Sequence, residues 1–461
     1  MLTCWFVRLI VVQAKKLSGS QISCDVFLFS DKYTDVATLS HLVKNTSGEL
    51  YYYPGFHAST HQERFGNDLV RDLTRATGFE SVMRVRCSKG VKISAFHGNL
   101  TMRAKDLLAI PCVHADSTYT VELQHDSAAP IKGDTVYIQC ALLYTTSGGD
   151  RRIRVNTLAV PLCHTVQQLV SSVDVDAVCN VIAKQAAVKV VTDSLSNALA
   201  SVKNSCMAIL RGSGGGVGTQ VSSISSAKQR VIPAQLRNLP LYCMALCKNM
   251  MLRKGNVQDD IRAFLVHRMG CMPVHLSRVV IYPRMFALHR LEAKDGTQVP
   301  PGEAGGEGRL RIKMPNVLQL SNEQLTSDGI FLLDNGLQIY IWIGSSAAPQ
   351  SLHNLFQVQG LHPGQAHTVR SLFVTHCIIC SVVACTHTHT HTHTCQRLRQ
   401  LRLRLLDNDF SRRVNNIVRT IRADRGIYPG IMCIREGDPI EVLIVLDSPL
   451  MPGGMNGRFL L

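Results

Sequence analysis

The stretch that most constrains this chain is Ile330 to Gly344, Ile-Phe-Leu-Leu-Asp-Asn-Gly-Leu-Gln-Ile-Tyr-Ile-Trp-Ile-Gly. Asp334-Asn335-Gly336 supplies residue types that accept positive φ, as a tight type I′ hairpin turn requires. Beyond the turn, Leu337, Ile339, Ile341 and Ile343 fall on one face of a strand, with Gln338, Tyr340 and Trp342 on the other. As physics this predicts a good hairpin and no chemistry.

The 461 residues suffice for three or four domains, and 46% hydrophobic with 18% charged residues describes an ordinary folded protein. No run of about 18 apolar residues is present, so no membrane-spanning helix is expected. The apolar run Trp5–Val12 is short and carries Arg8, which argues against a signal peptide. Sixteen cysteines are scattered without zinc-ribbon spacing, and Cys243 and Cys247 sit one helical turn apart among apolar neighbours. That pattern reads as reduced and cytoplasmic, which makes the sequons at Asn45 and Asn99 chance. The net charge of +16 raises the question of nucleic acid. Nine arginines against three aspartates between Gln396 and Arg425 supply +6 of it. The remainder is spread out and not interleaved with stacking aromatics, so no nucleic acid is expected. An anionic lipid surface or acidic peptides fit the charge better.

Along the chain the pattern changes three times. Residues 1–81 read as the end of an α/β domain, with strands in Asp25–Ser30 and Gly48–Tyr53, a helix beginning at Asp35, and another through Phe65, Leu69 and Leu73. Residues 82–165 alternate in short runs, Met83–Cys87, Val91–Phe96, Thr118–Gln124, Thr135–Leu143 and Arg152–Val160, predicting an antiparallel β-sandwich or barrel. Residues 166–270 are helical; one helix starts at the N-cap candidate Asp193 and carries Leu195, Leu199, Val202, Cys206 and Ile209 as its buried stripe. Further helices are expected over Pro233–Lys248 and Asp259–Met269. The glycine-rich Gly212–Gly218 lacks both a Lys-Ser/Thr and a preceding strand, so it is a connector and not a phosphate loop. Residues 271–461 form a mixed segment opening on Val279–Tyr282, with the loop Asp295–Gly308, the hairpin, a helix over Ser411–Arg425 and a strand at Ile431–Ile434. In that helix Val414, Ile417, Val418 and Ile421 are the expected buried face.

The hairpin's wording resembles the central hairpin of gelsolin-like domains, and other stretches extend the likeness. These are Phe27–Leu39, Gln62-Glu-Arg-Phe65, Gly78–Arg86, Gln139–Thr146, Arg151–Val155, Leu239–Leu246, Tyr282-Pro-Arg-Met285 and Leu320–Leu333. Taken in order, the chain resembles the cargo-selecting subunit family of the COPII vesicle coat, over about residues 20–360 and again from Leu405. The resemblance implies a multidomain α+β chain: the remnant of a vWA-like α/β trunk, a β-sandwich, a helical domain and a gelsolin-like domain. It further implies a non-enzymatic adaptor at the endoplasmic reticulum, lying peripherally on its membrane at exit sites and on vesicles. Implied partners are the paired inner-coat subunit, a small GTPase, and the cytosolic tails of cargo and SNARE proteins. Export signals are often acidic or hydrophobic, which suits an arginine-lined groove. The candidates are Arg84, Arg86 and Arg103, with Arg151, Arg152 and Arg154 as a second set.

Two departures from the family stand out. Its Cys₄ zinc finger and most of its trunk belong upstream of Met1, so no cofactor is expected here and binding to the paired subunit is put in doubt. An upstream strand of the sandwich is also wanting, leaving an edge liable to aggregate. Thr386–Thr394 alternates Thr with His387, His389, His391 and His393, near Cys377, Cys380, Cys385 and Cys395. Alternating Thr and His is what an AC dinucleotide repeat encodes, so residues 361–396 read as an aberrant insertion from a retained intron or gene-model error, not a metal site. The last residues, 447–461, also depart from the family's ending. No Gly-x-Ser-x-Gly, His-Glu-x-x-His or phosphate loop occurs, and His57 and His61 offer no catalytic arrangement. A gelsolin-like actin binder is the alternative, carried by the hairpin alone.

Overall fold

The computed structural model describes residues 2–104, 106–213, 232–255, 257–299, 311–358 and 403–438. The chain divides into two compact units, Met1–Pro54 with Leu73–Arg278, and Gly55–Asp72 with Val279–Leu461.

The first unit opens with helix α1 (Leu2–Gly19), strand β1 (Val26–Leu28), helix α2 (Val36–Thr46) and strand β2 (Leu50–Tyr52), with β1 and β2 parallel. Asp35 starts α2, as expected: its Oδ1 accepts the Thr38 N–H at 3.2 Å.

An all-strand region follows: β3 (Thr77–Cys87), β4 (Val91–His97), β5 (Thr101–Ala104), β6 (Leu107–His114), β7 (Thr120–His125), β8 (Thr135–Thr146) and β9 (Arg151–Pro161). One sheet has the order β5-β6-β3-β8-β9 and a second pairs β4 with β7. Met83, Val85, Leu108 and Ile110 form the core between the layers, with Ile93, Phe96 and Val121 packed against it. The expected two-layer unit is present. Strands β5 and β6 escape the sequence reading, and Pro111 within β6 explains part of that. In the ladder to β3, Phe79 pairs with Cys112 and Ser81 with Ile110, so the proline stands opposite Glu80 beside the β3 irregularity between Phe79 and Val82.

Helices α4 (Val166–Ser171), α5 (Val175–Thr192), α6 (Leu195–Ser213), α7 (Leu239–Lys248), α8 (Asp259–Cys271) and α9 (Val274–Ile281) as far as Arg278 complete the unit's helical part. Asp193 does not start α6, contrary to the sequence reading: it ends α5, and the Ser194 hydroxyl accepts the Asn197 N–H at 3.2 Å. The α6 stripe is turned slightly from the expected one, burying Ala198, Val202 and Cys206 while Leu195, Leu199 and Ile209 are half-buried. The β-branched run Val279–Ile281 ends a helix, because its side chains are buried there and packing outweighs strand propensity.

Charge is also buried in this unit. Glu49 accepts from the Arg268 guanidinium, and His114 Nε2 lies 3.6 Å from its other oxygen. One carboxylate thereby links the start of β2, β6 and α8. Asp260 on α8 likewise accepts the N–H groups of Thr34 at 2.6 Å and Val36 at 2.8 Å.

The second unit contains helix α3 (Ala58–Thr74) as far as Asp72, and a four-stranded sheet of order β10-β11-β12-β13. Its strands are β10 (Arg284–Ala287), β11 (Ile330–Asp334), β12 (Gln338–Ile343) and β13 (Gly430–Arg435), the last parallel to β12. Ile339, Ile341 and Ile343 pack on one face with Leu352 and Leu355 of α10 (Pro349–Phe356) and the stripe Val414, Ile417, Val418 and Ile421 of α11 (Asp409–Ala423). Tyr340 and Trp342 pack on the other with Met285, Phe331 and Ile434.

The turn differs from the expected type. Only Gly336 takes positive φ, at 86°, while Asn335 Oδ1 accepts the N–H groups of Leu337 and Gln338 at 3.0 and 2.8 Å. A Cβ at Gly336 would lie 2.5 Å from Val280 Cγ2, and one at Gly344 would lie 2.1 Å from the Ser327 carbonyl oxygen. Asp334 is buried and accepts from Arg425 Nη2 at 2.6 Å and Arg284 Nη2 at 2.7 Å. On α3, Asp68 Oδ1 accepts the Tyr428 N–H at 2.5 Å and Glu63 accepts its hydroxyl at 2.6 Å.

Several features singled out above lie outside the described residues: the Thr-His run, Cys377, Cys380, Cys385 and Cys395, the insertion 361–396, most of the glycine-rich connector, part of the loop after Asp295, and the tail 447–461.

Two stability predictions follow from these buried charges. Replacing Asp334 by Ala leaves the buried Arg425 cation without its carboxylate and should cost about 3–5 kcal/mol in chemical denaturation. His267 is held to a pKa of about 4, against 6.5 for a free imidazole, by burial and then by Lys44 and His41. Above pH 6.5 the ring is neutral in both states and its contribution is complete. As pH falls from 6.5 towards 4 the unfolded chain gains a proton that the folded chain resists, and stability declines by at most about 1.4 kcal/mol per pH unit from this group. The decline should be visible in thermal melts and shallower in His267→Phe.

Candidate functional site

Strand β3 is a central strand, bonded to β6 on one edge and β8 on the other. Its pleat turns Met83 and Val85 into the core and Arg84 and Arg86 to the opposite, outward face. Both arginines reach one carboxylate: Arg84 Nε lies 3.3 Å and Arg86 Nε 3.7 Å from Asp106 Oδ2. Asp106 sits in the turn between β5 and β6, where sequence reading had no reason to single it out. Two cations over one partly exposed anion leave a surplus of positive charge.

The other predicted arginines divide between two faces. Cross-strand register puts Val155 beside Ala141 and hence beside Arg84, so odd-numbered residues of β9 share the outward face. Arg151 is on that face and donates to Thr145 Oγ1 at 2.7 Å and to the Glu80 carbonyl at 3.2 Å. Glu80 reaches it from the irregular stretch of β3, where its φ is 51°. Arg152 and Arg154 point to the opposite face, and Arg152 donates to Asp150 Oδ2 at 2.9 Å. Arg103 lies at the irregularity of β5 between Met102 and Ala104, exposed. The structure thus brings together Arg84, Arg86 and, farther along the same face, Arg151; the rest stand apart.

Apolar side chains share the outward face. Tyr137, Ile153 and Val155 are all exposed there. Guanidinium groups beside uncovered aliphatic surface suit a peptide with carboxylates and apolar side chains, since the first can form forked charge-assisted bonds and the second removes oily surface from water.

Reactive chemistry finds little support. Cys243 is raised well above a free thiol by a hydrogen bond with Cys179 and by burial, and burial pushes Cys206 up to about 12. Such thiols stay protonated and inert at neutral pH. The His61 ring accepts the His57 main-chain N–H at 3.0 Å at the start of α3, and burial first, then Arg64, lowers it to about 4. Lys184, not singled out from sequence, is wholly buried; burial lowers it to about 8, and it donates to Thr120 Oγ1 at 2.7 Å. Among the described residues no group of three or more His, Cys, Asp or Glu is placed to hold a metal ion. No described helix is long and apolar enough to cross a membrane.

Comparison with known proteins agrees with this architecture. Residues 12–73 match the Sec23/Sec24 trunk domain, 78–163 the Sec23/Sec24 beta-sandwich domain, 174–279 the Sec23/Sec24 helical domain and 311–363 the Gelsolin repeat. Protein transport protein SEC24 B of Arabidopsis thaliana is 31% identical over 437 residues, covering 95% of this chain and 35% of the relative. Protein transport protein SEC24 A of the same plant is 33% identical over 345 residues, covering 73% of this chain and 32% of the relative. The crystal structure of the human COPII-coat protein Sec24c superposes with a TM-score of 0.75 at 27% identity, covering 94% of this chain and 51% of that one. The chain spans about a third of the length of these curated relatives.

Proposed function

Because this chain belongs to the Sec23/Sec24 family, we propose that it is a non-catalytic adaptor of the COPII coat that grips the cytosolic tails of membrane cargo and SNARE proteins. The observation that carries the reading is the outward face of the five-stranded sheet. There Arg84 and Arg86 share the single carboxylate of Asp106 beside exposed Ile153 and Val155. An acidic tail peptide competes with Asp106 for the two guanidinium groups, and its apolar residues cover the aliphatic side chains. No cofactor takes part. The paired inner-coat subunit, a small GTPase and the anionic surface of the endoplasmic reticulum membrane are the further partners of this reading. The surplus of basic over acidic residues supports the last of them, and the location is cytoplasmic, at exit sites and on vesicles.

A second reading, an actin-binding scaffold, is favoured by one observation, the match of residues 311–363 to the Gelsolin repeat. Fluorescence anisotropy with acidic export-signal peptides, beside co-sedimentation with filamentous actin, separates the two. The adaptor reading expects peptide binding and no pelleting with actin; pelleting without peptide binding reverses the choice. Asp106→Asn should tighten the peptide about two- to fivefold by releasing both arginines from an exposed ion pair. Arg84→Ala with Arg86→Ala should weaken it by a larger factor. Unchanged affinity in the double variant removes these two residues from the site.

A further inference from the structure

Cross-strand register lays out the outward face of β3, β8 and β9 row by row. Phe79, Thr145 and Arg151 stand abreast, then Val82, Leu143 and Ile153, then Arg84, Ala141 and Val155, then Arg86, Gln139 and Thr157. Basic groups therefore occupy two opposite corners, Arg84 and Arg86 on β3 and Arg151 on β9, with apolar side chains between them. Phe79 is 45% exposed, Ile153 68% and Val155 53%, so the ground between the corners is open to water. These groups stand on the face of the sheet. A further strand bonded beside β9 would lie in the plane of the sheet and leave the face as it is.

The two corners are built alike. Arg84 and Arg86 share Asp106, while Arg151 Nη1 meets the Glu80 carboxylate at 3.5 Å and the Glu80 carbonyl at 3.2 Å. Glu80 does so from the β3 irregularity with φ 51°, a left-handed conformation that residues with side chains rarely adopt. The Asp106 side chain is 41% exposed and that of Glu80 63%, so each is a solvated partner that another carboxylate can replace.

We propose that Arg151 is a second acid-binding point of this face, and that the ligand is an extended peptide with two carboxylates four residues apart and an apolar residue midway. Four residues along β9 and two strand spacings put Arg151 and Arg84 about 17 Å apart at the main chain. An extended peptide covers about 13–14 Å in four residues with its first, third and fifth side chains on one side, and the arginine and glutamate side chains span the remainder. One carboxylate displaces Asp106 from Arg84 and Arg86, and the other displaces Glu80 from Arg151. The apolar residue lands on Leu143, at the centre of the diagonal, between Val82 and Ile153. The inference rests on the adaptor reading for its first point, Arg84 and Arg86, and adds the second.

The test uses the full chain and fluorescein-labelled peptides followed by anisotropy. The spaced peptide is Ser-Glu-Ser-Val-Ser-Glu-Ser; the comparisons are one-acid forms with Gln for either Glu, and an isomer with the two glutamates adjacent. The spaced peptide should bind about two- to fivefold more tightly than the others. Arg151→Ala should bring it down to the one-acid level and leave the one-acid peptides unchanged. Glu80→Gln should tighten the spaced peptide about twofold by freeing Arg151, again without moving the one-acid peptides. A circular dichroism melt checks that Arg151→Ala is folded, and if it is not, the isomeric peptide puts the same question to the native chain. Equal binding of the spaced and isomeric peptides, or a spaced peptide indifferent to Arg151→Ala, overturns the proposal, as does an absence of binding. One-acid peptides held through Arg84 and Arg86, with no gain from a second glutamate, would end this inference and leave the adaptor reading standing. Spaced-peptide binding that survives Arg84→Ala with Arg86→Ala would overturn both.

Discussion

Strand β3 is bonded on both edges, and much of the first unit depends on that. A strand held by β6 and β8 cannot rotate, so its alternation of Met83, Arg84, Val85 and Arg86 becomes a fixed division between core and surface. A slip by one residue would bury two guanidinium groups and expose two core side chains. The register that protects the core is the same register that presents the arginines. The irregularity between Phe79 and Val82 ends this strict alternation and frees Glu80 to reach Arg151.

Charges in this protein do two kinds of work, and burial separates them. Glu49 with Arg268 and Asp334 with Arg425 are enclosed, so each partner is held by the cost of leaving the other unpaired. They tie elements distant in sequence: Glu49 joins Arg268, and Asp334 joins Arg425 across the second unit's sheet. Arg84, Arg86 and Arg151 pair with carboxylates in water, where an ion pair contributes little and exchanges readily. The proposed peptide surface would need that second kind, because a ligand carboxylate would have to replace Asp106. Arg84 and Arg86 stand on a sheet held by the ladders of β3 to β6 and β8.

How much was legible in the sequence varied with how local the cause was. The hairpin at Asp334–Gly336, the amphipathic stripe from Val414 to Ile421 and the cap at Asp35 are short-range effects, and each is where the pattern puts it. Strand β6 was hidden by Pro111, whose missing N–H matters only opposite a regular partner; the partner is irregular there. The α6 cap was misplaced by one residue because Asp193 and Ser194 are both good caps, and the end of α5 claims the first. Six arginines could be named as candidates, but whether Arg151, Arg152 or Arg154 shares a face with Arg84 depends on the β3–β8 and β8–β9 pairings, which no local pattern records.

By itself the sequence determined which residues are apolar at which spacing, and so the kind of each long element and the order of the family's domains along the chain. Only the tertiary structure decided that Arg84 and Arg86 both reach Asp106, that Arg151 shares their face while Arg152 and Arg154 do not, and that β9 pairs with β8. The physical reason is range. Side-chain alternation and helix periodicity act over a few residues, whereas strand order and register are set by burying apolar surface contributed by segments far apart in the chain.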